Sequence, residues 1–207
     1  MRKNKRAKLF FNDACNEDNL AQYTRYGAAR LSYNATDKAY HFGIFPDGST
    51  ADCWIQRIFP VGEKPFLLSF DILFGNVVTG RNFTAGFIDY GTSWSLQHGL
   101  FYAEIRNNFL RVRNAIRSVS GSTLTYYTQD MPIPSIEADV WYNMEFIVTH
   151  NRGYVFWNKE YIGDLDLKQI VRGTTSGYRR VNLYKATSNT RAKVRNILVK
   201  GVDDYGV

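Results

Sequence analysis

The stretch from Trp141 to Gly163, WYNMEFIVTHNRGYVFWNKEYIG, decides the fold of this chain. Residues 142–149 alternate largely between apolar and polar types, and a period of two is the signature of a β-strand with one buried face. Turn-forming residues interrupt the alternation at 150–153 and again at 158–159, and each interruption is followed by further strand-type residues. The stretch therefore predicts a three-stranded antiparallel meander.

Outward from this stretch, residues 66–74 are the clearest strand of the first half of the chain. One face of such a strand carries Phe66, Leu68, Phe70, Ile72 and Phe74. Five large apolar side chains on one face are typical of a strand that packs on another sheet. We expect this face to lie in the core.

Residues 100–113 predict a β-hairpin whose register follows from a two-residue turn at 107–108. The pairs in this register are Tyr102 with Arg113, Ala103 with Val112, Glu104 with Arg111 and Ile105 with Leu110. One face of the hairpin is then apolar, and the other carries an opposite-charge pair, Glu104 and Arg111, directly across the strands. A slip of one residue would bury the arginines, so the register is strongly specified.

About a dozen strand segments, many turns and 15% aromatic residues predict an all-β protein: two antiparallel sheets in a jelly-roll sandwich. The 207 residues show no internal repeat, no low-complexity tract and no good domain boundary. We therefore predict a basic arm at 1–8 and a single domain at 9–207. Residues 165–172 are the one predicted short helix, and no stretch is apolar for long enough to span a membrane.

The chain contains two cysteines, Cys15 and Cys53. A lone pair in a domain of this size is not a disulfide framework. A disulfide between them and two free thiols both remain open, and we favour small buried core residues.

The N-terminal arm supplies five positive charges of a chain with net charge +7, namely Arg2, Lys3, Lys5, Arg6 and Lys8. Such an arm is either a solvated tail or a segment that docks on an acidic partner. No apolar run of signal-peptide length follows it. We therefore expect synthesis in the cytoplasm without secretion by a signal peptide.

Three segments carry a resemblance to a known family: WYNMEFIVTHNRGYVFWNKEYIG, VRNILV at 194–199 and FFNDACNEDNLAQY at 10–23. Together they resemble the opening segment, the Trp-opened hairpins and the closing strand of the concanavalin A-like lectin and glucanase superfamily, which includes laminin-G-like domains. The resemblance implies a jelly-roll sandwich and a function connected with carbohydrate. Lys159 stands where the family hairpin has glycine, and Asn196 stands where many members have an acidic residue.

The carboxylates and amides at 12–19 are hard oxygen ligands of the kind that calcium uses. Their spacing matches no calcium loop, and the asparagine at 196 argues against a calcium site of the family type. We expect no cofactor, with calcium as the open alternative.

Hydrolytic members of the superfamily need two carboxylates placed closely on one strand face. The strand carboxylates of this chain, Asp71, Asp89, Glu104 and Glu145, are isolated in sequence, and Gln97-His98 is a partial match to a lyase motif. The sequence therefore predicts a non-enzymatic protein. A polysaccharide-degrading hydrolase or lyase of the same fold is the alternative.

Sugar binding needs an aromatic platform and planar polar groups that hydrogen-bond hydroxyls. The predicted carbohydrate site consists of Tyr90, Trp94, His98, Tyr102 and Arg113. For Trp94, capping of the core is the alternative role. The other three tryptophans, Trp54, Trp141 and Trp157, are predicted to be core residues.

The function predicted from these observations is a binding or assembly module, a phage structural protein that decorates a capsid or forms a tail appendage. Its basic arm would dock on other virion or assembly proteins, and its sandwich would meet surface glycans. Nucleic acid is a less favoured partner because Glu104 interrupts the arginines and no RNA-binding motif is present. The oligomeric state stays open between a monomer and a homo-oligomer, and a trimer would favour a phage appendage.

Overall fold

Strands make up nearly all the regular structure in the computed structural model of the chain. The structure describes residues 8–43, 52–60, 65–76, 80–90, 97–117, 124–149, 151–167, 178–185 and 190–202. The strands are β1 Leu9–Asp13, β2 Thr24–Tyr26, β3 Leu31–Asn34, β4 Ala39–Phe42, β5 Cys53–Pro60, β6 Phe66–Phe74, β7 Phe83–Tyr90, β8 Gln97–Ile105, β9 Phe109–Arg117, β10 Leu124–Pro132, β11 Trp141–Val148, β12 Arg152–Trp157, β13 Glu160–Asp166, β14 Tyr178–Lys185 and β15 Ala192–Gly201.

These strands form two antiparallel sheets. The eight-stranded sheet has the order β13-β12-β11-β6-β15-β4-β3, with β1 also paired to β15. The seven-stranded sheet has the order β10-β9-β8-β7-β14-β5-β2. Neighbouring strands are often distant in sequence, so the chain crosses repeatedly between the sheets. This arrangement confirms the predicted two-sheet jelly-roll sandwich.

The opening stretch forms the predicted meander as β11, β12 and β13. β12 begins at Arg152, two residues earlier than predicted. The Arg152 N–H donates to Thr149 Oγ1 at 3.0 Å. Its second turn is the predicted two-residue turn, in which Trp157 pairs with Glu160.

The core lies between the two sheets, and the predicted apolar face of β6 is fully part of it. Aromatic rings from the seven-stranded sheet meet this face. The rings of Phe66 and Phe87 are 4.5 Å apart, and those of Phe101 and Phe146 are 5.7 Å apart, both edge to face. Both cysteines are free and buried, as favoured from the sequence.

The predicted helix at 165–172 is wrong where the structure describes it. Leu165 and Asp166 belong to β13, opposite Gly153 and Arg152 of β12. Strand pairing and the ion pair of Arg152 with Asp166, at 2.8 Å, outweigh the weak local helical pattern. The helices among the described residues are two single 3₁₀ turns, Leu20–Gln22 and Ala28–Arg30. No described helix is long and apolar enough to cross a membrane.

Candidate functional site

The candidate site lies on the face of the seven-stranded sheet that points away from the core, called here the outer face. Alternation in β8 sends Phe101, Ala103 and Ile105 into the core and places Tyr102 and Glu104 on the outer face. Strand register then aligns residues in two rows that cross all seven strands. The Tyr102 row is Thr24, Gln56, Asn182, Gly86, Tyr102, Arg113 and Thr128, and the Glu104 row is Tyr26, Trp54, Tyr184, Thr84, Glu104, Arg111 and Asp130.

The predicted hairpin register is confirmed at all four pairs from Tyr102–Arg113 to Ile105–Leu110. The predicted ion pair across it is not formed. Arg111 turns instead to Asp130 on the neighbouring strand and binds both carboxylate oxygens at 2.8 Å. A guanidinium fork matches two carboxylate oxygens, so this pairing is preferred over a single contact with Glu104.

Glu104 is buried and surrounded by three other arginines. Arg106 Nη2 lies 2.9 Å from Oε2, Arg113 Nη2 lies 3.2 Å from Oε1, and Arg81 Nη1 lies 3.8 Å from Oε1. Burial of a carboxylate is tolerated when cations neutralise it. We name Glu104, Arg81, Arg106 and Arg113 the arginine cluster.

Tyr102 and Arg113, two of the predicted site residues, face each other across β8 and β9. Burial raises the pKa of the Tyr102 hydroxyl to about 12, and the positive charge of Arg113 partly opposes this rise. The phenol is therefore protonated at neutral pH. It can donate and accept hydrogen bonds, as a sugar hydroxyl requires of its partner.

The middle of the outer face contains buried polar side chains. Gln56 Nε2 donates to Asn182 Oδ1 at 3.2 Å. Within the described residues, the Nδ2 of Asn182 and the Oγ1 of Thr84 have no hydrogen-bond partner. Polar atoms of this kind are uncommon in cores built for packing alone and are found in binding sites.

Aromatic side chains stand near both edges of the outer face. Tyr26 and Trp54 stack with ring centroids 5.8 Å apart and planes 15° from parallel, and Tyr26 is 51% exposed. At the opposite edge, the exposed ring of Tyr126 lies 5.5 Å from the guanidinium of Arg113. The outer face thus has apolar ring surfaces at its ends and charge near its centre.

Of the three tryptophans predicted to lie in the core, the structure places one there and two outside it. Trp157 is a core residue as predicted, stacked on Tyr142. Trp54 is not in the core, since β5 places Cys53 and Ile55 there. Trp141 is not in the core either: the guanidinium of Arg195 covers its ring at 3.9 Å.

Of the predicted carbohydrate site, the structure brings together Tyr102 and Arg113. Tyr90 ends β7 and pairs with Gln97, while His98 pairs with Asp89. β8 therefore begins at Gln97, three residues before the predicted start of the hairpin at Leu100, and its first residues extend along β7. Trp94 and the side chains of Tyr90 and His98 lie outside the described residues.

Sequence reasoning missed the residues contributed by distant strands, chiefly Tyr26, Trp54, Gln56, Arg81 and Asn182. The alternation of β5 carried a signal for two of them. Cys53, Ile55 and Phe59 share one face of that strand, so Trp54 and Gln56 had to share the other.

The acidic opening segment, considered above for calcium, is used for internal hydrogen bonding. Asp13 accepts hydrogen bonds from the hydroxyls of Tyr40 at 2.6 Å and Tyr23 at 2.8 Å. Burial, together with the nearby Asp13 carboxylate, raises the pKa of both phenols. Asn196 donates to Asp71 at 2.7 Å, and the described residues contain no group of three or more His, Cys, Asp or Glu side chains placed to hold a metal.

The predicted docking arm reaches the described residues only at Lys8; Arg2, Lys3, Lys5 and Arg6 lie outside them. The Lys8 carbonyl accepts a hydrogen bond from the Gly201 N–H at 2.7 Å. Lys8 therefore lies on the eight-stranded sheet beside the end of β15.

No protein-family model matches the sequence, and no curated protein matches it either. Solved structures match it at the level of fold. A carbohydrate-binding module of Bacillus subtilis aligns with 88% of this chain and 98% of its own, with 12% identity and a TM-score of 0.55. The shared fold is a two-sheet jelly-roll sandwich.

Two further structures share this jelly roll. A carbohydrate esterase from the Shiga toxin-encoding bacteriophage phi24B aligns over 95% of this chain and 100% of its own, with 10% identity and a TM-score of 0.61. A sialidase aligns over 95% of this chain with 13% identity and a TM-score of 0.61, but this chain spans only 19% of the sialidase. At these identities the likeness shows the fold alone.

Proposed function

We propose that this chain is a non-enzymatic carbohydrate-binding module whose ligand lies on the outer face. The observation that carries the proposal is the Tyr26–Trp54 stack at one end of the Glu104 row, in which Tyr26 is exposed and Trp54 is half-buried. A flat aromatic surface packs against the apolar side of a sugar ring, while planar guanidinium and amide groups hydrogen-bond its hydroxyls. Both kinds of group lie on this face.

The spacing of these groups favours an oligosaccharide over a single sugar. Trp54 and Glu104 share a row and are separated by three strand spacings, which is about 14 Å. Tyr126 lies two strands beyond Glu104. A ligand that contacts both the aromatic stack and the arginine cluster must therefore run across the strands.

The fold neighbours support a carbohydrate ligand but divide on catalysis. One is a binding module, and two carry the names of enzymes, an esterase and a sialidase. The shared fold alone is compatible with either role. The choice between them rests on the groups of the outer face.

Those groups favour binding without hydrolysis. A glycosidase needs a carboxylic acid with a raised pKa and a second carboxylate nearby. Glu104 and Asp130 are both ion-paired, and Arg111 lowers the pKa of Asp130. Tyr102, protonated at neutral pH, is a poor general base.

The alternative of a polysaccharide-degrading enzyme rests on Tyr102 and Arg113, since a positioned tyrosine is one of the side chains that can transfer a proton in catalysis. Incubation of the full chain with a polysaccharide panel tests it. We expect no new reducing ends and no unsaturated products. Release of either product would replace the binding proposal by the enzymatic one.

Binding is tested on a glycan array with the full chain and two tryptophan variants. We expect Trp54→Ala to weaken binding at least about tenfold, a loss of about 1.4 kcal/mol. Trp141→Ala is the matched control because it removes a tryptophan from the other sheet. Equal losses in the two variants, or no glycan bound by the unmodified chain, would contradict the proposal.

We further propose that the module belongs to a virion, where the arm docks on an acidic partner protein. The basic arm at 1–8 and a fold neighbour from a bacteriophage support this role. Deletion of residues 1–7 tests it while leaving the Lys8–Gly201 hydrogen bond in place. We expect loss of co-sedimentation with particles and retained glycan binding; unchanged co-sedimentation would disprove docking by the arm.

A further inference from the structure

The arginine cluster holds more positive charge than its own carboxylate neutralises. Three guanidiniums surround Glu104, whose side chain is only 4% exposed. A single carboxylate balances one of these three charges. The cluster therefore carries a net positive charge at a fixed place on the outer face.

The guanidiniums are not fully hydrogen-bonded within the described residues. The Nε atoms of Arg106 and Arg113 have no partner, but both atoms are buried and out of reach of a ligand. Arg81 makes the longest contact with Glu104, at 3.8 Å, and its side chain is 38% exposed. Arg81 is thus the arginine of the cluster that is most accessible to a ligand.

Other arginines on the described surface differ in this respect. Arg111 on the same face is bound through two of its nitrogens to Asp130. Arg152 on the eight-stranded sheet is bound in the same way to Asp166. Arg152 also lies 3.5 Å from Asp164, so neither of these two arginines carries the uncompensated charge of the cluster.

We infer that the arginine cluster is a subsite for the acidic group of a glycan, a carboxylate or a sulfate, with Arg81 as its most accessible donor. This inference rests on the proposed carbohydrate-binding function and names the class of its ligand. Guanidinium groups bind planar carboxylates and tetrahedral oxyanions through paired N–H donors. The positions of the Tyr26–Trp54 stack and the cluster assign the sugar ring to the first and the acidic group to the second.

A single-stranded nucleic acid is the competing polyanion, because it also combines rings with negative charge. The two carboxylates in the Glu104 row, Glu104 and Asp130, disfavour it. A backbone with one phosphate per nucleotide would pass both of them. An acidic glycan requires only one anion at the cluster.

The test is an array that contains matched neutral, carboxylated and sulfated glycans together with single-stranded oligonucleotides, probed with the full chain. We expect the acidic member of a pair to bind at least about tenfold more tightly than its neutral partner and added salt to weaken that binding. The carboxylated and sulfated members distinguish the two sources of the anion.

Arg81→Gln is the decisive variant, because Arg81 is partly exposed and Glu104 keeps Arg106 and Arg113 as partners. We expect it to lose at least about fivefold in affinity for the acidic glycan and clearly less for the neutral partner, which presents no charge to the cluster. Arg152→Gln, which removes a balanced arginine elsewhere, is the control. A thermal melt of each variant checks that it is folded.

The outcomes separate the inference from the proposed function. Equal binding of neutral and acidic partners, or an unchanged Arg81→Gln, would overturn the acidic subsite and leave carbohydrate binding standing. Absence of any bound glycan would overturn both. Tighter binding of the oligonucleotides than of every glycan would also overturn both.

Discussion

At the scale of single residues, Lys159 occupies a backbone conformation that glycine adopts most easily. The turn between β12 and β13 has Asn158 at φ 51° and Lys159 at φ 67°. Two left-handed residues are typical of the type I′ turn that suits a twisted hairpin. Asn158 is stabilised there because its Oδ1 accepts a hydrogen bond from the Asn143 N–H at 2.9 Å. A left-handed lysine costs about 1–2 kcal/mol.

Lys159→Gly should therefore stabilise the protein. Part of the relief is offset by the greater freedom of glycine in the unfolded chain, so the expected gain is about 0.5–1 kcal/mol. In a protein of this size, that corresponds to a rise in Tm of about 1–4 °C. Thermal unfolding followed by circular dichroism measures it. Lys159→Ala keeps the left-handed Cβ and should show no gain; an equal rise in both variants would mean that the side chain, not the backbone, is responsible.

At the scale of elements, the two sheets approach closely where β12 passes β8. A Cβ added to Gly153 would lie 2.5 Å from the ring atoms of Phe101. Phe101 is fully buried and stacks edge to face on Phe146, so its ring has little room to move. Gly153 is thus required by packing between the sheets. The pattern within its own strand gives no reason for a glycine there.

Gly153→Ala should destabilise the protein by roughly 1–3 kcal/mol, because overpacking forces the ring of Phe101 or the strand β12 to shift. Chemical denaturation measures the loss in the free energy of unfolding. Gly80→Ala is the control, since a Cβ at Gly80 meets no atom within 4 Å. A loss in Gly153→Ala no larger than in Gly80→Ala would show that the contact with Phe101 relaxes at little cost.

At the scale of the whole molecule, the sandwich encloses both thiols in one core. Cys15 lies where the opening segment meets the eight-stranded sheet, and Cys53 begins β5 of the seven-stranded sheet. Burial raises the pKa of Cys15 to about 12 and that of Cys53 to about 11. The reactive species is the thiolate, so burial and protonation both protect these residues.

Alkylation of the native protein at neutral pH should therefore be very slow at both cysteines. Mass spectrometry after treatment with iodoacetamide should find no modified cysteine in the native protein and two modified cysteines in denaturant. The denatured sample also controls for a disulfide, which would block both sites. Rapid labelling of either cysteine in the native protein would show that the core opens locally at that thiol.

The hairpin β8–β9 shows how far sequence pattern determines a local arrangement. Alternation and the two-residue turn predicted all four of its cross-strand pairs, because a register slip would have buried arginines. The same pattern did not predict the partner of Glu104. Asp130 of β10 binds Arg111, and Glu104 pairs instead with Arg106 and Arg113 of the hairpin and with Arg81, which precedes β7.

The sequence by itself determined the strands, the meander of 141–163, the hairpin register and the sandwich class, since each follows from local periodicity and turn residues. Tertiary structure alone decided which strands lie side by side. Trp54 and Trp157 had the same prediction although one lies on the outer face and the other in the core, because residue type alone does not place a tryptophan on either face. The Tyr26–Trp54 stack and the arginine cluster exist only because seven strands from distant parts of the chain are hydrogen-bonded side by side.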